Sequence, residues 1–301
     1  MRARILALIA LAAILALASC SIIQQGADAL QGAGVVSDSQ AKTIKATTQI
    51  VRSTFGDITE QEEYYIGRSV AALILSRYRV FQNPGLTQYV NTLGNAVALY
   101  SERPETFAGY HVQVLDTDEV NALAAPGGLI FLARGLIARC KDEDSLGLIL
   151  AHEIGHVSAK HGLQSIKKSR LVEAFKVLGE QAVERYSPEV LGRLTGLFEE
   201  TLADIVGSLV ERGYDRKYEY EADSLALKTS LQAGLDPNGL TRFLKTMVGD
   251  ASSASGKGWF KTHPTPEQRI DKANSIVGSM GTLPKLLDVR TARFKGILGI
   301  K

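Results

Sequence analysis

Cysteine and histidine are scarce in this chain of 301 residues, which contains two cysteines and five histidines. Cys20 lies near the N-terminus, so Cys140 is the one thiol left for the body of the protein. A single thiol cannot form an internal disulfide, which excludes a disulfide-stapled fold. Stability must therefore come from a hydrophobic core, and a hydrophobic content of 45% is ordinary for a globular protein.

The chain also lacks an excess of charge of one sign. It has 34 Lys and Arg residues against 32 Asp and Glu residues, a formal net charge of +2. Arg2 and Arg4 account for that excess, so the chain beyond them is formally neutral. Neutrality gives no basis for nucleic-acid binding or for a polybasic membrane patch. We expect no nucleic-acid partner.

Long apolar runs are absent after the first twenty residues. Arg2 and Arg4 precede an apolar stretch over residues 5–18, which is typical of a signal peptide. It ends in Leu17-Ala18-Ser19-Cys20, which resembles a bacterial lipobox. We predict a lipoprotein signal peptide over residues 1–19 and a lipidated Cys20 with its tether over residues 20–55. The alternative is a plain signal peptide, or an uncleaved anchor, in which Cys20 is incidental.

Two of the few histidines stand in the sequence His152-Glu153-Ile154-Gly155-His156, inside an apolar and helix-periodic stretch. Residues four apart share one face of a helix, so both imidazoles can bind one Zn²⁺. The glutamate between them can hold and deprotonate a metal-bound water, which is the chemistry of peptide-bond hydrolysis. We predict one zinc ion per chain, with His152 and His156 as ligands and Glu153 as the catalytic base.

A zinc hydrolase usually has a third protein ligand, and His161 is one option. It lies nine residues after His152 and five after His156, off the metal-binding face. We therefore interpret it as a cation at the C-terminus of the zinc helix, which Gly162 would end.

The better option for the third ligand is Glu219, on a helix predicted downstream. Asp223 follows it by four residues on the same face, where it can accept the free N–H of a zinc histidine. Glu221 lies about 200° round that helix from Glu219, so both cannot face one ion. The pattern is that of glutamate-type zinc peptidases, the gluzincins.

The remaining signals predict an α+β fold, mostly helical with a small β-sheet. Thr59-x-x-Glu62 is a capping signature for a helix to about residue 81, and another is predicted over residues 86–100. Residues 111–115 and 129–132 are strand-like. Pro126 is unsuited to a central strand, so its segment is an edge strand or a turn.

We predict that this edge flanks the zinc helix and pairs with an extended substrate. The residues assigned to it are Asn121, Pro126, Gly127 and Gly128. The alternative is a simple hairpin with no role in binding.

Taken in their order along the chain, the motifs resemble metallopeptidase family forty-eight, the lineage of the CAAX prenyl proteases, HtpX and Oma. The resemblance is strongest to its periplasmic LoiP- and BepA-like lipoproteins. The resemblance covers residues 59–277 and includes Glu63-Tyr64-Tyr65-Ile66-Gly67-Arg68, Gly135-Leu136 and His263-Pro264 with Arg269. It implies a zinc metalloprotease domain over residues 56–277, followed by a C-terminal tail over residues 278–301.

The resemblance also draws attention to His263 and Arg269. His263, on a predicted loop, can reach the open position of the zinc as a regulatory latch, or stabilise the oxyanion together with Arg269. The alternative is a structural turn with Arg269 in a salt bridge.

The expected function is a zinc-dependent endopeptidase that hydrolyses peptide bonds in misfolded or damaged envelope proteins. Its partners would be unfolded polypeptides and, through the lipid, the periplasmic face of a bacterial membrane. Ser21 after the cysteine favours the outer membrane. The alternatives are a non-catalytic lipoprotein that binds unfolded chains, and a structural or assembly lipoprotein.

Overall fold

The computed structural model describes residues 59–164, 206–207, 209, 214–248 and 265–299. Apart from Thr59, these residues belong to one compact unit formed from residues 60–167 and 199–301. The predicted signal peptide, Cys20, its tether and His263 lie outside the described residues. Within them, most residues are helical and three short strands form one sheet, in agreement with the predicted α+β class.

Two helices precede the sheet. Helix α1 (Glu60–Arg77) starts directly after Thr59 but ends before the predicted residue 81. It stops because Val80 forms a bridge with Leu115 and the Phe81 N–H donates to the Val114 carbonyl at 2.9 Å. Helix α2 (Pro84–Ala98) begins at proline, and the Asn83 side chain accepts the Leu86 N–H at 3.0 Å as an N-cap.

The sheet contains β1 (His111–Leu115), β2 (Ala122–Ala125) and β3 (Leu129–Ala133) in the order β1-β3-β2. Strand β3 is parallel to β1 and antiparallel to β2. Within the described residues, β2 is therefore an edge strand. Pro126 lies outside the strands, in the 3₁₀ turn Pro126–Gly128 between β2 and β3.

Helix α1 fixes that 3₁₀ turn. A side chain at Gly67 would place its Cβ 1.9 Å from the Pro126 carbonyl oxygen, so only glycine permits this approach. Gly127 has a φ of 77° and its N–H donates to the buried carboxylate of Glu63 at 3.1 Å. Arg103 donates to both oxygens of the same carboxylate at 3.0 Å. A buried ion pair therefore holds the backbone of the turn.

After α3 (Arg134–Arg139), the central helix α4 (Glu143–Ser158) carries the two-histidine motif. Its residues are buried from the first to Val157, because the sheet and several helices surround it. The Asp142 side chain accepts the Ser145 N–H at 2.7 Å as its N-cap. Lys160 has a φ of 55°, which breaks the helix before the predicted Gly162.

The remaining helices are α5 (His161–Gln164), α6 (Arg216–Gln232), α7 (Asn238–Lys245), α8 (Pro266–Gly278) and α9 (Asp288–Leu298). Helix α9 lies in the stretch predicted as a C-terminal tail, and its Phe294 is 1% exposed in the main core. Among the described residues, no helix has both the length and the hydrophobicity to cross a membrane.

Three consecutive buried acids at the start of α4 are each paired with an arginine. Arg293 of α9 binds Glu143, and Arg290 of the same helix binds Asp144 at 3.0 Å. Arg242 of α7 binds the capping residue Asp142 at 2.8 Å. Only the tertiary structure supplies these partners, because each arginine lies at least 100 residues further along the chain.

Candidate active site

Three side chains converge beside α4. His152 and His156 are four residues apart on that helix, and their Nε2 atoms are 3.1 Å from each other. Glu219, on α6, places one carboxylate oxygen 3.5 Å from the Nε2 of His152 and the other 3.6 Å from that of His156. The side chains of His152 and Glu219 are fully buried and that of His156 is 1% exposed.

This geometry suits a tetrahedral metal ion. Ligand bonds of 2.0–2.1 Å at tetrahedral angles put neighbouring ligand atoms about 3.3 Å apart, close to the three separations observed. The three residues form a group able to hold a metal among the residues that the structure describes. Glu221, two residues after Glu219, points away from this group, to His161.

The nitrogen of His152 that faces away from the three converging atoms contacts a buried ion pair. Its Nδ1 is 3.0 Å from Oδ1 of Asp223. Arg269, which is 0% exposed, donates to both Asp223 oxygens at 2.6 and 2.9 Å. Arg269 thus lies in a salt bridge, the alternative that the sequence left open beside an oxyanion role. The same guanidinium lies 3.4 Å from Nδ1 of His152.

These contacts set the charge of the site. Burial raises the pKa of Asp223, but Arg269 and His152 outweigh that effect and leave it well below its usual range. Burial and Arg269 lower the pKa of His152, whereas hydrogen bonds to Asp223 and Glu219 raise it to about 9 on balance. The site therefore favours a positive charge at His152, which a divalent ion would supply in place of a proton.

His156 has a different partner. Its Nδ1 is 2.8 Å from Nδ1 of His161, whose Nε2 is 3.3 Å from the Glu221 carboxylate. Tyr214 stacks on the His156 ring with centroids 4.6 Å apart, and Tyr218 packs on His161 at 4.5 Å.

The prediction that His161 is a cation ending the zinc helix is therefore wrong. His161 opens the separate helix α5, it is 0% exposed, and burial lowers its pKa. The helical period used for the prediction fails because the chain turns at Lys160.

Glu153 lies between the two histidines on α4 and is 2% exposed. Burial raises its pKa to about 7. Its Oε1 atom has no hydrogen-bond partner in the described part of the chain. A carboxylate with such a pKa can both accept and return a proton near neutral pH.

The residues predicted as a substrate-pairing edge lie at the two ends of β2. Asn121 precedes the strand, is 6% exposed and accepts the Ala133 N–H through its backbone carbonyl at 3.0 Å. Pro126 lies against α5, because a Cβ added at Gly162 would be 3.1 Å from its Cγ. The turn and the helix that begins with His161 are thus neighbours.

Sequence reasoning missed four contacts at the site: that of His161 with His156, that of Glu221 with His161, the stacking of Tyr214 on His156, and that of the buried Arg269 with Asp223. The contact between His156 and His161 depends on the turn at Lys160. The other three join residues at least 46 positions apart, which local sequence patterns do not report.

Comparison with known proteins identifies the family. The sequence profile of peptidase family M48 matches residues 84–277. The chain is 28% identical over 234 residues to the β-barrel assembly-enhancing protease of Escherichia coli K12, covering 75% of this chain and 45% of that protein. It is 26% identical over 225 residues to the mitochondrial metalloendopeptidase OMA1 of Schizosaccharomyces pombe, covering 73% and 63%.

The corresponding mitochondrial metalloendopeptidase of Bos taurus is 25% identical over 184 residues, covering 60% of this chain and 33% of that protein. The matches thus span between 33% and 63% of the relatives' own lengths. Because the profile covers most of this chain, including the two histidines, Glu153 and Glu219, the protein belongs to peptidase family M48, a family of metallopeptidases.

Proposed function

We propose that this chain is a zinc-dependent endopeptidase, anchored by a lipid, that hydrolyses peptide bonds in misfolded or damaged envelope proteins. One observation carries the proposal: three buried ligand atoms at tetrahedral separations lie beside a buried glutamate whose pKa is about 7. The donor set of two imidazoles and one carboxylate is that of many zinc hydrolases, with a fourth position left for water.

In this proposal His152, His156 and Glu219 hold the ion. Zinc, when bound, would polarise the scissile carbonyl and lower the pKa of a water molecule. Glu153 accepts the proton of the attacking water and then donates it to the leaving amine nitrogen, so that its carboxylate is regenerated. Asp223 keeps the His152 ring oriented by accepting its Nδ1–H, and Arg269 keeps Asp223 ionised.

The substrate would be an extended polypeptide. Support comes from β2, which is an edge strand of the sheet and packs against α4. An unfolded segment can add to such an edge through backbone hydrogen bonds, whatever its side chains. The ion pair of Glu63 and Arg103 would keep the adjoining turn rigid. The edge would then present the same backbone to substrates of different sequence. We assign Asn121, Pro126, Gly127 and Gly128 to this edge.

The envelope location and the anchor rest on the N-terminal sequence and on the relatives. The apolar stretch ending at Cys20 is typical of a lipoprotein signal, and bacterial relatives are named β-barrel assembly-enhancing proteases. Cys20→Ala should leave an uncleaved precursor or shift the protein out of the membrane fraction, as followed by immunoblotting of fractionated cells. Normal processing with full membrane retention would refute the anchor.

The central test compares wild type with Glu153→Gln for cleavage of an unfolded protein such as casein. We expect the variant to keep its zinc, measured by elemental analysis, and to lose about 10²–10⁴-fold in turnover. Glu102→Gln, at an exposed glutamate paired with Lys228, is the control and should cleave normally. Zinc binding without turnover by the wild type would instead favour a non-catalytic protein that binds unfolded chains.

A further inference from the structure

We propose that His161 and Glu221 are positioning residues, which together hold His156 in the one tautomer that can bind the metal. The inference rests on the proposed function, since it concerns the same site. It assigns a role to a histidine and a glutamate that are not ligands and that lie on the side of His156 away from the three converging atoms.

The first step is the tautomer of His156. Its Nε2 is the atom that faces His152 and Glu219, at 3.1 and 3.6 Å, so Nε2 is the metal-binding nitrogen. A neutral imidazole carries one N–H, and a lone pair at Nε2 requires the hydrogen at Nδ1. That Nδ1–H needs an acceptor, and Nδ1 of His161 is 2.8 Å away.

The second step fixes His161. To accept from His156, its Nδ1 must carry a lone pair, so its hydrogen must be on Nε2. That Nε2–H can donate to the Glu221 carboxylate, 3.3 Å away. Only this tautomer satisfies both contacts, and a carboxylate, which can only accept, selects it. Two hydrogen bonds therefore link the two rings and the carboxylate. In each of them the N–H donates in the direction away from the metal site.

The third step concerns how His161 reaches its place. On a continuous helix, a residue five positions after His156 would lie about 140° round the axis from it. The turn at Lys160, with its φ of 55°, starts a new helix and brings the ring back to His156. Tyr218 packs against the ring at 4.5 Å. A non-glycine residue in this conformation costs free energy, so contacts elsewhere in the fold must offset it.

The two metal-facing histidines are thus held differently. His152 donates directly to a carboxylate whose side chain is 4% exposed and which a buried arginine holds. His156 is held through a second imidazole, that of His161. The last member of this hydrogen-bonded series is Glu221, whose side chain is 54% exposed. The His156 branch is therefore open to solvent at its outer end, and we expect it to be the weaker of the two restraints.

The test measures Zn²⁺ affinity of the full chain by competition with a chromophoric chelator. His161→Asn retains an oxygen near the Nδ1 position that can accept from His156, whereas His161→Phe retains the ring shape without an acceptor. We expect His161→Phe to lose about 10–100-fold in affinity, and His161→Asn to stay within a few-fold of wild type. If His161 acted only by packing against Tyr218, His161→Asn should lose more Zn²⁺ affinity than His161→Phe, because asparagine lacks the ring.

Glu221→Ala should lower Zn²⁺ affinity by less than His161→Phe does, because its carboxylate is half exposed. Glu102→Ala is the matched control, since that glutamate is equally exposed and also paired, and it should bind as wild type. Wild-type affinity in His161→Phe, or a larger loss in His161→Asn, overturns the inference. A wild-type chain that fails to bind Zn²⁺ overturns the proposed function itself.

Discussion

Removing the guanidinium of Arg269 should strongly destabilise the fold, independently of any metal. Arg269→Met keeps most of the aliphatic volume but leaves Asp223 buried without the arginine that donates to both of its oxygens. Breaking a buried ion pair at one partner typically costs about 3–5 kcal/mol. In a folded unit of about 200 residues, that corresponds to a fall in melting temperature of roughly 6–20 °C.

The measurement is urea and thermal unfolding of the chain treated with a chelator, so that loss of metal does not contribute. Arg134→Met is the control, because Arg134 also pairs with two aspartates but its side chain is 39% exposed. Such exposed pairs contribute about 0–1 kcal/mol. The double variant Arg269→Met with Asp223→Asn should recover part of the loss, since the buried charge is removed with its partner.

The pH dependence of stability provides a second test of the ion pair between Asp223 and Arg269. The pKa of Asp223 is lower in the folded state than its unfolded value of about 3.9. The stabilisation is therefore complete above about pH 4 and is lost as the pH falls through the folded pKa. The gap between wild type and Arg269→Met should narrow in acid. A variant as stable at pH 7 as Arg134→Met, or a gap that widens in acid, would refute this reasoning.

Three further outcomes are expected. Glu219→Ala should abolish stoichiometric zinc binding in elemental analysis, and retention of zinc would remove Glu219 from the ligand set. His263→Ala should raise casein turnover if His263 is a latch and lower it, with zinc retained, if it stabilises the oxyanion; unchanged turnover contradicts both. Cys140 is 3% exposed and burial raises the pKa of its thiol, so it should react with a disulfide reagent only as the chain unfolds. Fast reaction in the native protein would contradict that burial.

Local pattern predicted the helix that carries the metal motif. The spacing of His152 and His156 and their apolar neighbours requires only helical periodicity, and the structure has both on α4. The same argument predicted that Glu219 and Asp223 share a face and that Glu221 does not, and the structure places them so. The turn at Pro126 followed from the missing N–H of proline. In each case the relevant physics acts within a few residues.

What the sequence left open was decided by contacts between distant segments. Helix periodicity put His161 on the wrong face, because the chain turns at Lys160 and His161 contacts Glu221, which comes from α6. The chain end predicted as a tail contains α9, since Phe294 has a place in the main core and the arginines beside it meet buried acids of α4. Arg269 could be assigned only once Asp223 was found buried beside it, because a charge has a stable place in a protein interior only opposite its partner.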